Sequence, residues 1–157
     1  MKLVIVGDAF TGKTSIVNAL LKFPQVAYTP TLGVNVEQVT IDDTVINIWD
    51  TAGTEKYAGL GTGYFIDADA ALIVFDILNK DSYKNVAEYR RKLIHVCGNI
   101  PIVVVANKTD NKMPIVKPNM IRGPHFRVST KPGHEDTLFP PIRSLLATLI
   151  KTQSVVN

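Results

Sequence analysis

Gly7-Asp8-Ala9-Phe10-Thr11-Gly12-Lys13-Thr14 is the stretch whose reading decides the fold. It fits G-x-x-x-x-G-K-[ST], the pattern of a phosphate-binding loop. Gly7 and Gly12 permit a backbone turn that a Cβ would obstruct. The turn aims the N–H groups of residues from Ala9 to Ser15 at one anion, and the helix that follows adds its positive end. Lys13 has the reach and charge for β- and γ-phosphates, and the Thr14 hydroxyl suits Mg²⁺. Leu3-Val4-Ile5-Val6 ahead is a short apolar strand, and Ser15–Leu21 behind has helical spacing. A strand, a glycine turn and a helix in succession are the context this loop requires.

Working outward, strands are expected at Lys2–Val6, Val34–Ile41 (with one irregularity in its alternation), Val45–Trp49, Ala70–Asp76, Pro101–Ala106 and Phe126–Val128. Asp42-Asp43 reads as the tight turn between the second and third strands. Helices are expected over Lys13–Lys22, over Asp81–Val96, and from Leu138 onward with Pro140 and Pro141 in the first turn. Phe23–Gly33 and Asp50–Thr62 read as long loops. Three prolines in Lys112–Pro124 exclude a full helix there. Strands alternating with helices imply an α/β domain with a mostly parallel six-stranded sheet and helices on both faces. Ligands of such sheets lie beyond the carboxyl ends of the strands. The phosphate loop, Asp50, Asn107 and Ser129 all fall at such ends.

The chain of 157 residues suits one domain, and 46% apolar content suffices for its core. A net charge of +3 is too small to argue for nucleic acid, and Arg90-Arg91-Lys92 reads as a solvated helix face. The single Cys97 excludes an internal disulfide. No apolar run is long enough for a membrane span; no leader is expected, because Met1-Lys2-Leu3 enters a strand at once, and no lipid anchor is expected at Ser154–Asn157, which holds no cysteine. His95, His125 and His134 lack metal spacing.

Two further motifs carry chemistry. Asp50 in Asp50-Thr51-Ala52-Gly53 can hold Mg²⁺ directly or through water, and Gly53 lets its N–H come close to a γ-phosphate. In Asn107-Lys108-Thr109-Asp110, the Asp110 carboxylate can accept both N1–H and N2–H₂ of guanine, a donor pair adenine lacks. Asn107 can pin neighbouring loops, and the Lys108 stem can lie along the base. Ser129-Thr130-Lys131 would close over the base with backbone N–H groups.

In this order and spacing the motifs resemble the Ras superfamily of small GTPases, over almost the whole chain. Within it they are most similar to the Ran family, through Tyr28–Val34, Trp49–Lys56, Tyr83-Lys84-Asn85-Val86 and Val96–Val103. The resemblance implies a G domain over residues 1–157 that binds GTP or GDP with Mg²⁺. Thr14, Thr31 and Asp50 would meet the metal, and Lys13, Thr31, Gly53 and the residue at position 54 would serve hydrolysis. Residues 24–33 and 51–63 would be switch loops that GTP orders and that effectors and regulators read. Phe23 and Tyr28 are alternative partners for the guanine ring. The resemblance further implies a monomer of nucleus or cytosol, with no direct nucleic-acid contact. Departures are specific. Thr54 replaces the family's glutamine. Ala9 and Phe10 replace glycines. The first hairpin and the segment from Asp110 to Ser129 are shortened, and Ran's acidic C-terminal extension has no counterpart. These departures imply slow hydrolysis or a GTP-holding module without turnover; a kinase or ATPase is the third reading, against which Asp110 speaks.

Overall fold

The computed structural model describes residues 1–24, 31–53 and 63–152, with the backbone of the last helix continuing to Val156. Six strands form one sheet: β1 (Lys2–Val6), β2 (Val34–Ile41), β3 (Thr44–Thr51), β4 (Ala70–Asp76), β5 (Ile102–Asn107) and β6 (Phe126–Arg127), in spatial order β2-β3-β1-β4-β5-β6. Only β2 and β3 pair antiparallel. The reason is local: Asp42 and Asp43 both take positive φ, 48° and 60°, the paired left-handed turn that a two-residue hairpin needs. The other pairs are parallel, which places Val6, Thr51, Asp76 and Asn107 along one edge of the sheet. Among the described residues four α-helices accompany the sheet: α1 (Lys13–Leu20), α2 (Lys80–Lys84), α3 (Val86–Cys97) and α4 (Phe139–Val156).

The strands bury both faces because β1 and β4 are apolar at every central position. Leu3, Ile5, Leu72 and Val74 point to one face and pack against Ile16, Val17 and Leu20 of α1 and Ile142 and Leu145 of α4. Val4, Val6, Ala71 and Ile73 point to the other and meet Phe65 with Tyr89 and Leu93 of α3. Each such aliphatic side chain contributes about 1.5–3 kcal/mol by leaving water. Phe75, Ile77, Val104, Ala106 and Val116 extend this packing toward α2. Among the described residues no helix is long and apolar enough to cross a membrane.

Several elements depart from the sequence expectation. The helix expected over Lys13–Lys22 ends at Leu20: Lys22 turns to φ 57°, its N–H bonds Ala19 O (3.2 Å), and the Phe23 N–H bonds Asn18 O (2.8 Å). This is a Schellman closure, usually marked by a glycine that this sequence lacks. The helix expected over Asp81–Val96 is two helices that meet at Asn85. The third strand runs on through Asp50 and Thr51, which were expected in a loop, because both stay paired to β2 and Asp50 also to β1. The irregularity in β2 is no bulge: pairing to β3 is unbroken, so Val36 simply faces outward, half exposed, while Val39 and Ile41 face the core. The proline-rich segment after β5 holds one short 3₁₀ turn, Pro118–Met120. Of the two long loops, residues 25–30 and 54–62 lie outside the described residues.

Candidate functional site

The phosphate loop leaves β1 at Gly7, and its shape rests on close approaches. A Cβ on Gly7 would lie 2.1 Å from Val74 O, and one on Gly12 would lie 2.3 Å from Asn107 Nδ2. Gly12 has φ 93° and precedes α1 with no side-chain cap, so the first N–H groups of the helix keep their donor capacity. Phe10 takes φ 65° although it has a Cβ, at a position read as a departure from glycine, and its side chain is 65% exposed. Left-handed backbone disfavours such a residue, and so exposed a ring gains little burial to offset the strain.

Lys13 is buried, and its Nζ donates to Gly7 O (2.8 Å) and Asp8 O (3.1 Å), so its charge sits inside the loop it follows. Thr14, Thr31 and Asp50, which come from three segments, converge. The Thr14 hydroxyl donates to Asp50 Oδ2 at 2.6 Å and lies 3.1 Å from Thr31 Oγ1. Asp50 is 1% exposed, and its Oδ1 is buried with no hydrogen-bond partner among the described residues. Burial pushes the Asp50 carboxyl above the usual carboxylate range, against the opposing pull of the Thr14 hydrogen bond and the Lys13 charge.

Gly53 lies against the loop: a Cβ there would be 2.2 Å from Ala9 N and 2.6 Å from the Asp8 carbonyl carbon. Ala9, Phe10, Gly12, Lys13, Thr14, Ser15, Thr31, Gly53 and Lys108 line, with Thr51, a cavity of about 300 Å³. Asn107 Nδ2 donates to Thr11 O (2.9 Å), and Lys108 Nζ donates to Phe10 O (2.8 Å) while pairing with Asp76 Oδ2 (2.6 Å). The loop after β5 therefore holds the phosphate loop at two carbonyls. Asp110 is exposed; its Oδ1 accepts from the Ser129 hydroxyl at 2.7 Å, and Ser129 Oγ accepts from the Lys131 N–H at 3.1 Å. A second cavity, about 360 Å³, joins Ser129, Thr130 and Lys131 to Lys22 and Phe23. Thr54 and Tyr28 lie outside the described residues.

Three contributors escaped the sequence reading. Asp76 anchors Lys108, and its place at the end of β4 beside Asn107 was the available signal. Thr51 donates to Ile5 O at 2.8 Å from a fully buried side chain. Asp8, at a variable position of the loop pattern, accepts from Asn85 Nδ2 (2.6 Å) and the Tyr89 hydroxyl (3.1 Å). No local pattern connects residues that far apart in sequence.

The residues present fit a nucleotide with a divalent cation. Two hydroxyls and a carboxylate are hard oxygen donors of the kind Mg²⁺ takes, and the unpartnered Asp50 Oδ1 gains a partner if it receives a metal-held water. Uncapped N–H groups at α1 and a buried lysine suit phosphate oxygens.

Sheet order, loop and carboxylate together define an α/β phosphate-loop nucleotide-binding fold. The model of the Ras family matches residues 2–135, and the chain belongs to that family. Its class is thereby a small GTPase, a family of guanine-nucleotide switches that work through effectors and regulators.

Proposed function

We propose that residues 1–157 form one Ran-like G domain that binds GTP or GDP with Mg²⁺ and hydrolyses GTP slowly, in the nucleus or cytosol. The observation that carries this reading is the convergence of Thr14, Thr31 and Asp50 on one point beside Lys13. Thr14, Thr31 and Asp50 would hold Mg²⁺, which would supply positive charge to the phosphate groups. Lys13 neutralises the same groups from inside the loop. Thr31 follows the segment 24–30 and carries its hydroxyl into the site, which couples the nucleotide to the chain that effectors would read. Asp110 and Ser129 hold each other where the resemblance puts guanine. Regulators would read residues 24–33 and 51–63.

Slow turnover follows from position 54. Threonine is shorter than glutamine and stiff at χ1, so its hydroxyl would be expected to fall short of a water in line behind the γ-phosphate. Ala9 adds a methyl to the cavity wall, where an arginine finger worth about 10³–10⁵ in rate would enter. Single-turnover GTP hydrolysis tests this. Thr54→Gln should raise the intrinsic rate, and adding Ala9→Gly should restore response to an activating protein. Turnover as fast as that of an ordinary small GTPase would overturn the slow-hydrolysis reading. The second reading, a module that holds GTP with essentially no turnover, is favoured by that same methyl and predicts that the loaded protein keeps its GTP unhydrolysed.

A further inference from the structure

Asp8 belongs to the phosphate loop, yet its side chain leaves the loop and reaches the helix layer. Asp8 Oδ2 accepts from Asn85 Nδ2 at 2.6 Å, and Oδ1 accepts from the Tyr89 hydroxyl at 3.1 Å. Only the nitrogen of the Asn85 amide can donate to a carboxylate, so its orientation is fixed by chemistry. Asn85 stands at the junction of α2 and α3 with helical dihedrals, φ −72° and ψ −13°, and its side chain caps neither helix. Its backbone is satisfied locally: the N–H donates to Asp81 O (3.0 Å), and the carbonyl accepts from Glu88 (3.0 Å) and Tyr89 (3.1 Å). Capping therefore does not account for asparagine here, whereas the contact to Asp8 does. Tyr89 is 4% exposed, with its ring in the core between sheet and α3, so its hydroxyl is a fixed donor.

The main chain of the same residue meets the loop lysine. Asp8 O accepts from Lys13 Nζ (3.1 Å) and from Thr11 Oγ1 (2.8 Å). Gly53, on the loop after β3, lies against the Asp8 carbonyl carbon. One residue thus ties α3 to the phosphate lysine and to the second switch loop. Charge-assisted hydrogen bonds are about twice as strong as neutral ones. We infer that Asp8 is a positioning residue whose clamp on Asn85 and Tyr89 holds the phosphate loop in its binding shape and sets how long a guanine nucleotide stays bound. This rests on guanine-nucleotide binding by the chain.

The test is the dissociation rate of a fluorescent GDP from the loaded full-length chain, with melting temperature followed alongside. Asn85→Ala should speed release about tenfold, the scale of one lost hydrogen bond to a charged group, and Asp8→Ala, which also loses the Tyr89 bond, should speed it more. The double alanine variant should release no faster than Asp8→Ala alone, because the contact that Asn85→Ala removes is already lost there. Asn85→Asp faces two carboxylates and should be faster still. Asp8→Asn combined with Asn85→Asp reverses donor and acceptor and should return release to within about twofold of the unaltered chain. A general loss of stability would not be repaired by that exchange. Release at the unaltered rate in the single variants, additive effects in the double, or no rescue by the exchange overturns the clamp alone. If the unaltered chain fails to retain GDP, the nucleotide reading falls and the clamp with it.

Discussion

Asp50 is almost wholly buried, and one of its two oxygens has no partner among the described residues. Burial raises its pKa, so the unfolded chain ionises this group more readily than the folded one. The sign follows. The contribution of Asp50 to stability is largest below the unfolded pKa of about 3.9, falls as pH rises toward the raised folded value, and stays low at neutral pH. Asp50→Asn removes the buried charge. It should raise the melting temperature of the nucleotide-free protein at pH 7 and flatten its acid-side dependence, while weakening Mg²⁺-dependent retention of nucleotide. A melting curve that drops instead would show that the charge is needed to balance Lys13. Asp110 is the opposite case, an exposed carboxylate whose position is fixed by Ser129. An amide in its place presents an N–H₂ to the two donors of guanine. Asp110→Asn should therefore cost roughly 1–3 kcal/mol in GTP binding, about tenfold or more in a calorimetric titration. Unchanged affinity would remove the guanine assignment.

At the scale of elements, the strands were legible because β1 and β4 are apolar at every central position, with a charged residue only at Lys2 and Asp76. The phosphate loop was legible because its glycines are obligatory where backbone, or the Asn107 amide, approaches within 2.1–2.3 Å. What escaped was structure enforced from outside the element. Nothing local marks the break at Asn85, whose side chain answers to Asp8 in the phosphate loop. Lys22 hides the end of α1 for a related reason: core packing of Leu20 and Leu21 outweighs a residue ill suited to φ 57°. An exposed left-handed residue is a natural site for glycine. Lys22→Gly should stabilise the fold by about 0.5–1 kcal/mol, the strain relieved less the added freedom of the unfolded chain. A lower denaturation midpoint would mean that the Lys22 side chain contributes more to the neighbouring cavity wall than the backbone loses.

At the scale of the molecule, the site consists of loops that the parallel sheet delivers to one edge: those after β1, β3, β5 and β6, together with the segment carrying Thr31. Polar contacts join them among the described residues: Asn107 to Thr11, Lys108 to Phe10 and Asp76, Thr14 to Thr31 and Asp50, and Ser129 to Asp110. The apolar packing lies behind them on both faces of the sheet. A nucleotide spanning that edge would join loops that the core positions only from behind, so binding and folding should be linked. A ligand held only by the folded state adds about 2.7 kcal/mol at a hundredfold excess over Kd. For a chain of this length that corresponds to a rise of roughly 5–10 °C in melting temperature. GDP and GTP with Mg²⁺ should each give that rise. Chelation of Mg²⁺ should remove part of it, more for GTP than for GDP, because the triphosphate carries more negative charge for the cation to offset. Thr14→Asn should reproduce the effect of chelation without a chelator, since it replaces the hydroxyl that meets both Asp50 and Thr31. ATP at the same concentration should leave the melting curve where it was, because adenine lacks the donor pair that Asp110 accepts. An equal shift with ATP would locate the binding energy in the phosphate loop alone and take guanine recognition away from the loop after β5.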